Sequence, residues 1–328
     1  MVTKEDLKKV KIPKAKELTD RENRLAPGHR LCAGCTAGTI ARLATLVTDP
    51  DDTVIFHATG CLEVATTIYP YTSWRLPWYH NAFENAAATA SGAEAAYRAF
   101  VKKGKLDKIP DIITFAGDGG TYDIGLQSLS GALERGHDFV YICYTNGAYM
   151  NTGIQRSGGT PMYASTTTSP AGTEIPGKIR WRKDLVAIAA AHRVPYVATA
   201  SPAAHRDLMT KVRRALDAEG PAFILVDMPC PRGWRFPESQ GIKIAQQAID
   251  CCYFPLYEIY DGREYELSSP SKVIALKPEK KIPVEEYLKG QGRFKHLFRP
   301  EKREDLIQNF QDAVDQEWAY LQKMVDMD

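Results

Sequence analysis

Apolar residues along this chain gather into short continuous runs, and between the runs they recur every three or four positions. The runs TVIFHAT (53–59), DIITFAG (111–117), DFVYICYTN (138–146), PYVATA (195–200) and PAFILVDMP (221–229) have the length and β-branched content of buried strands. The intervening stretches read as helices: the alanine-rich segment 80–104, which stops at Gly104, then 121–134, 183–193 and 205–218. Alternation of this kind predicts an α/β fold, a doubly wound, mainly parallel sheet with helices on both faces. The expected core spans 28–237, behind a charged N-terminal arm (1–27) and ahead of a C-terminal extension (238–328). That extension holds a candidate hairpin turning at Asp261 and Gly262. It ends in an amphipathic helix whose stripe is Leu306, Phe310, Val314, Trp318, Leu321 and Val325, able to pack on its own domain or on a partner chain. Residues 157–178, crowded with Gly, Ser, Thr and Pro, read as a long loop of the kind that closes over sites.

Charge narrows the function classes. Lys and Arg number 42 against 40 Asp and Glu, a net +2, which gives no reason to expect a nucleic-acid partner. No stretch approaches the ~18 apolar residues of a membrane span. The mixed-charge N-terminal segment lacks the apolar centre of a signal peptide. A cytoplasmic chain with no membrane association is expected. Seven cysteines are odd in number and too sparse for a disulfide framework, which favours a reducing compartment.

Four of those cysteines stand in glycine- or proline-flanked turns: Cys32 and Cys35 in HRLCAGCTAG, Cys61 in ATGCLEV and Cys230 in MPCPRGW. A Cys-x-x-Cys pair can grip one metal centre, and two further thiolates complete a four-sulfur set, for zinc or for an iron–sulfur cluster. Strands ending just before Cys61 and Cys230 would deliver both thiols to the carboxyl edge of a parallel sheet; the competing reading is that both are small buried residues. Cys143, Cys251 and Cys252 read as packing residues, and His57, inside a strand, as a satisfied core histidine. The histidines show no paired ligand spacing.

The stretch 116–153 carries more chemistry. A strand ends in Gly117, Asp118, Gly119 and Gly120 and feeds a helix, so glycine backbone and helix N–H groups can approach a phosphate closely. A carboxylate at that place would repel the phosphate unless a divalent cation lies between them. The motif therefore asks for Mg²⁺ bridging Asp118 and a diphosphate, with the Asn146 amide oxygen and the Ala148 carbonyl completing an oxygen-only site. GxGxxG is absent from the turn, so this is not a dinucleotide fingerprint.

With GHRLCAGC, TGCLEV, HNAFENAAATASG, AGDGGTYDIGLQSLSGALERGHDFVYICY, AYMNTGIQRSGGTP, GPAFILVDMPCPRGW and QGRFKHL, the chain resembles the thiamine-diphosphate-binding beta subunits of 2-oxoacid:ferredoxin oxidoreductases, the pyruvate:ferredoxin oxidoreductase family. The resemblance implies a [4Fe-4S] cluster on Cys32, Cys35, Cys61 and Cys230, displacing zinc. It implies thiamine diphosphate on the Gly117–Gly120 turn and beside Cys61, Mg²⁺ on Asp118, Asn146 and Ala148, and Asn151 as the polar neighbour of the reacting ring. The implied reaction is oxidative decarboxylation of a 2-oxoacid, pyruvate by default, with electrons passing to ferredoxin and the acyl group usually to coenzyme A. The implied assembly adds an alpha subunit with the pyrimidine-binding domain and its activating glutamate, a gamma subunit and a ferredoxin-like delta subunit. Where many relatives read YDNEAYMNTG this chain has Thr145 and Gly147 in place of two acidic residues, and Ala37 replaces an acidic residue of some relatives. These changes bear on the substrate, so branched-chain, aryl and oxalate-type acids stand as alternatives. A non-catalytic iron–sulfur or zinc scaffold is the alternative of another class, and the Asp118 and Asn146 pair weighs against it. Arg180, Arg182 and Lys183 are expected to face solvent.

Overall fold

The computed structural model describes residues 2–49 and 51–326. One sheet organises them. Its strands are β1 (Thr53–Ala58), β2 (Trp78–Asn81), β3 (Asp111–Gly117), β4 (Val140–Thr145), β5 (Tyr196–Ala200), β6 (Ala222–Asp227), β7 (Tyr257–Tyr260) and β8 (Glu264–Leu267). Their order is β2-β1-β3-β4-β6-β5-β7-β8, the first six parallel and the last two antiparallel. Every residue of β1, β4, β5 and β6 is buried, which is why these strands are unbroken apolar runs in the sequence. Helix Ala86–Lys102 packs on β1, β3 and helix Leu126–Glu134, and helix His205–Asp217 packs on β4, β5, β6 and helix Thr36–Thr45. Further helices complete the doubly wound arrangement.

Four differences from the sequence reading have local causes. The stretch expected to begin a helix at residue 80 instead gives β2, pairing through His80 and Asn81 with β1, and the helix starts at Ala86. The helix expected over 121–134 opens with a π-helical turn, Gly119–Ile124, closed by a bond from the Gly125 N–H to the Gly120 carbonyl at 2.9 Å. A Cβ at Gly125 would collide with that carbonyl oxygen, so the wide turn needs glycine there. The sheet also runs past residue 237: the hairpin turns at Asp261 and Gly262, both at positive φ, and adds β7 and β8 to the same sheet. The terminal helix Glu304–Asp326 packs on its own chain, and its stripe starts at Ile307, with Leu306 only half-buried. Phe310 anchors it, its ring 5.4 Å from Trp181, 5.7 Å from Tyr253 and 6.1 Å from Phe294. Among the described residues no helix is long and apolar enough to cross a membrane.

This topology places the motif residues. Gly117 lies opposite Tyr144 and Thr145 opposite Asp227 in the parallel register, so β3, β4 and β6 end together. The turns after β1, β3, β4 and β6, carrying Cys61, Asp118, Asn146 and Cys230, leave the sheet at one carboxyl edge.

Candidate active site

Asp118 is completely buried where β3 meets the π-helical turn. Its Oδ1 accepts the Asn146 N–H at 3.2 Å, and its Oδ2 accepts the Ser157 hydroxyl. Burial pushes its carboxyl up to about 7 against the opposing pull of those two donors. The Asn146 carboxamide lies between the two other expected ligands: with its NH2 turned toward them it donates to Asp118 Oδ1 at 3.1 Å and to the Ala148 carbonyl at 3.0 Å. Asp118, Asn146 and Ala148 are thus brought together at one place.

Neighbouring groups brace this set. The Trp234 indole N–H donates to the Asn146 carbonyl, and the Thr160 hydroxyl donates to the Gly147 carbonyl at 2.7 Å. Gly147 sits at φ +74°, and a Cβ there would meet the Arg293 guanidinium at 2.9 Å and Pro161 at 3.0 Å. The backbone of this turn has no place for a larger side chain. Arg293 is itself buried, stacked on Trp234 with its guanidinium carbon 3.6 Å from the ring centroid. The loop 157–178 does close on the site: besides the Ser157 contact, the Gly158 N–H donates to Asp123 at 2.7 Å. The Lys178 ammonium donates to the Thr160 carbonyl beneath the loop, and burial lowers its pKa to about 8.

Beside the oxygens lies a narrow cleft of about 20 Å³, lined by Gly117, Gly119, Gly120, Asn146, Ala148 and Cys61 among others. Tyr149 covers Gly119, where an added Cβ would overlap the ring. Glycine at this turn permits that close approach.

The four cysteines line a second cavity, of about 530 Å³. Cys61, Met150 and Asn151 line both, so the two cavities adjoin. Cys35 caps helix Thr36–Thr45, Cys61 opens helix Cys61–Thr66 and Cys230 caps helix Pro231–Trp234. A free N–H group at such an end favours thiolate, and Cys230 Sγ accepts the Gly233 N–H at 3.3 Å. Burial works the other way, pushing Cys35 to about 11 and Cys61 to about 12 and raising Cys230 as well. Among the described residues no three Cys, His, Asp or Glu side chains close on a point as a single ion requires.

Other expectations divide. Cys143, Cys251 and Cys252 are buried packing residues. His57 is buried too, but it is not satisfied: neither ring nitrogen has a partner, because Trp74, Trp78 and Phe115 surround it with rings. Arg180 and Lys183 are exposed, Lys183 pairing with Asp123 at 2.8 Å, whereas Arg182 stacks on Tyr253 and donates to its carbonyl. Sequence reasoning missed Ser157, Tyr144, Trp234 and Arg293. Glycine at 60 and 117, where the Tyr144 ring crosses, and at 147, against Arg293, is the signal that could have found two of them.

The parallel sheet, with a glycine turn and a buried carboxylate at its carboxyl edge, is the architecture of the diphosphate-binding domain of thiamine-dependent enzymes. Residues 58–226 match the family described as thiamine pyrophosphate enzyme, C-terminal TPP binding domain. The chain is 56% identical over 279 residues to the pyruvate synthase subunit PorB of Methanocaldococcus jannaschii, covering 84% of this chain and 91% of that one. It is 46% identical to the PorB of Thermotoga maritima, covering 94% of each, and 42% identical to the ketoisovalerate oxidoreductase subunit VorB of Pyrococcus furiosus, covering 93% and 94%. In fold it is similar to the 2-oxoglutarate:ferredoxin oxidoreductase of Magnetococcus marinus, with a TM-score of 0.53 at 18% identity, covering 76% of this chain and 86% of that one. The chain belongs to the thiamine-diphosphate-binding beta subunits of the 2-oxoacid:ferredoxin oxidoreductases, the pyruvate synthase beta subunit family.

Proposed function

We propose that this subunit serves the oxidative decarboxylation of pyruvate, with electrons leaving through a [4Fe-4S] cluster on Cys32, Cys35, Cys61 and Cys230 to ferredoxin, and with coenzyme A accepting the acyl group. The observation that carries the reading is the adjacency of the two cavities, one lined by the glycine turn, Asn146 and Ala148 and the other by four thiols, sharing Cys61, Met150 and Asn151. Relatives named as pyruvate synthase subunits, 46% and 56% identical over most of the chain, support pyruvate as the substrate. Thiamine diphosphate supplies carbanion chemistry at a 2-oxo carbon when bound.

In this reading the chain's residues hold and shield. Asp118, Asn146 and Ala148 hold Mg²⁺, and the glycine turn 117–120 accepts the diphosphate. Asn151, at the mouth of both cavities, presents its amide to the reacting centre, and the pinned 157–178 loop keeps water from the metal side. The Gly233 N–H, which Cys230 Sγ accepts at 3.3 Å, would stabilise a thiolate there. The activating glutamate and the pyrimidine pocket come from an alpha subunit, and gamma and ferredoxin-like delta subunits complete the assembly. The test is viologen or ferredoxin reduction by the anaerobically purified complex with a panel of 2-oxoacids, each with and without coenzyme A. A response to pyruvate that needs coenzyme A is expected. Preference for a branched-chain acid would move the substrate toward the VorB relative, and no response to any 2-oxoacid would sink the reading.

A further inference from the structure

Tyr144 is the next-to-last residue of β4 and lies opposite Gly117 in the sheet register. Its ring crosses the place where a side chain at Gly117 would stand: a Cβ there would lie 3.3 Å from Cε2 and 3.7 Å from the hydroxyl. The side chain thereby reaches past β3 to the turn after β1, where a Cβ at Gly60 would come within 2.8 Å of the hydroxyl oxygen. Gly60 has extended backbone that any residue can adopt, so proximity to this hydroxyl is what glycine there accommodates. Tyr144 lines the narrow cleft with Gly117, Gly119 and Gly120, and its buried hydroxyl, beside the Leu62 backbone N–H, donates to no acceptor. A buried hydroxyl without an acceptor is a cost that phenylalanine would not carry.

We infer that the Tyr144 hydroxyl is a cofactor-binding group that donates a hydrogen bond to a phosphate oxygen of the diphosphate seated in this cleft. The inference rests on the functional reading above. An anionic phosphate oxygen is the strongest acceptor that reading brings to the cleft, and a charge-assisted bond answers the hydroxyl's unmet proton. Cys61 also borders the cleft, but Tyr144 does not line the cavity shared by the four thiols.

The test compares Tyr144→Phe with wild type in the purified complex, stripped of cofactor with chelator and reloaded. Two constants are read: Kd for thiamine diphosphate with Mg²⁺, and the inhibition constant of inorganic diphosphate with Mg²⁺ as competitor. Both should rise together by tenfold or more, with iron content and cluster potential unchanged. Gly60→Ala should weaken both constants alike, by pushing the hydroxyl aside. The double variant should be no worse than Tyr144→Phe alone: with the hydroxyl gone, the nearest atom to the new Cβ is the Ala58 carbonyl oxygen at 3.9 Å. Unchanged constants in Tyr144→Phe would overturn the assignment. So would a changed cluster potential at unchanged Kd, which would give the hydroxyl to sulfur instead. A wild-type complex that binds no thiamine diphosphate would bring down the functional reading itself, and this assignment with it.

Discussion

The substitution Asp118→Asn keeps the shape of the oxygen set and removes its charge, and it should push two measurements in opposite directions. In the cofactor-free protein the buried carboxyl titrates near 7 rather than 3.8. Folding therefore favours the protonated form, and stability falls as pH rises from about 4 to about 7. Roughly three pH units at about 1.4 kcal/mol each give about 4 kcal/mol by pH 8. The Asp118→Asn variant escapes that cost, so without cofactor it should melt several degrees higher at pH 8 and lose the wild-type decline between pH 4 and 7. With cofactor the order reverses. Losing the charged member of a buried ion site costs about 3–4 kcal/mol, so the affinity for Mg²⁺ and thiamine diphosphate should fall by two to three orders of magnitude. Thermal melts across pH, with and without Mg²⁺ and cofactor, read both effects. Wild-type cofactor affinity in the variant would refute the metal role of Asp118, and an unchanged pH slope would refute the buried-charge argument.

Three further outcomes follow from the packing. His57 is held neutral by burial, its pKa lowered to about 3, so the folded state binds fewer protons than the unfolded chain between about pH 3 and 6.5. Acidification through that window should cost about 5 kcal/mol, and His57→Phe should flatten that part of the stability profile in acid melts. Cys230→Ser should sharply lower iron and sulfide in the complex; a full [4Fe-4S] signal would remove Cys230 from the ligand set. Phe310→Ala, at a fully buried ring packed among Trp181, Tyr253 and Phe294, should cost about 3–5 kcal/mol and make the terminal helix sensitive to protease.

What the sequence disclosed follows from how each element is held in place. Strands β1, β3, β4, β5 and β6 were legible because burial on both faces demands unbroken apolar runs. The edge strand β2, WYHN, was not: its residues are mostly exposed or half-buried, and only pairing with β1 makes it a strand. The π-helical turn at Gly119–Ile124 depends on one wide hydrogen bond, from Gly125 to Gly120, and helical periodicity passes over it. For the site, Asp118, Asn146 and Ala148 could be read from local spacing, because one strand–helix–strand unit carries all three. Ser157 and Trp234, which hold Asp118 and Asn146, come from a distant loop and from the turn after β6, and no local pattern ties them to the site. Arg182 misled for a related reason: a charged residue in a polar stretch reads as solvated until the aromatic rings of Tyr253 and Phe254 fold over it.

Where the iron and the diphosphate lie is the most direct test of the two adjoining sites. Diffraction from crystals of the anaerobic complex with Mg²⁺ and thiamine diphosphate, recorded at the iron absorption edge, would locate both. The expected result is iron density of several atoms bounded by Cys32, Cys35, Cys61 and Cys230, with the diphosphate and its metal on Asp118, Asn146 and Ala148 in the adjoining cleft. A single tetrahedral ion on the cysteines, or a diphosphate bound away from Asp118, would contradict it.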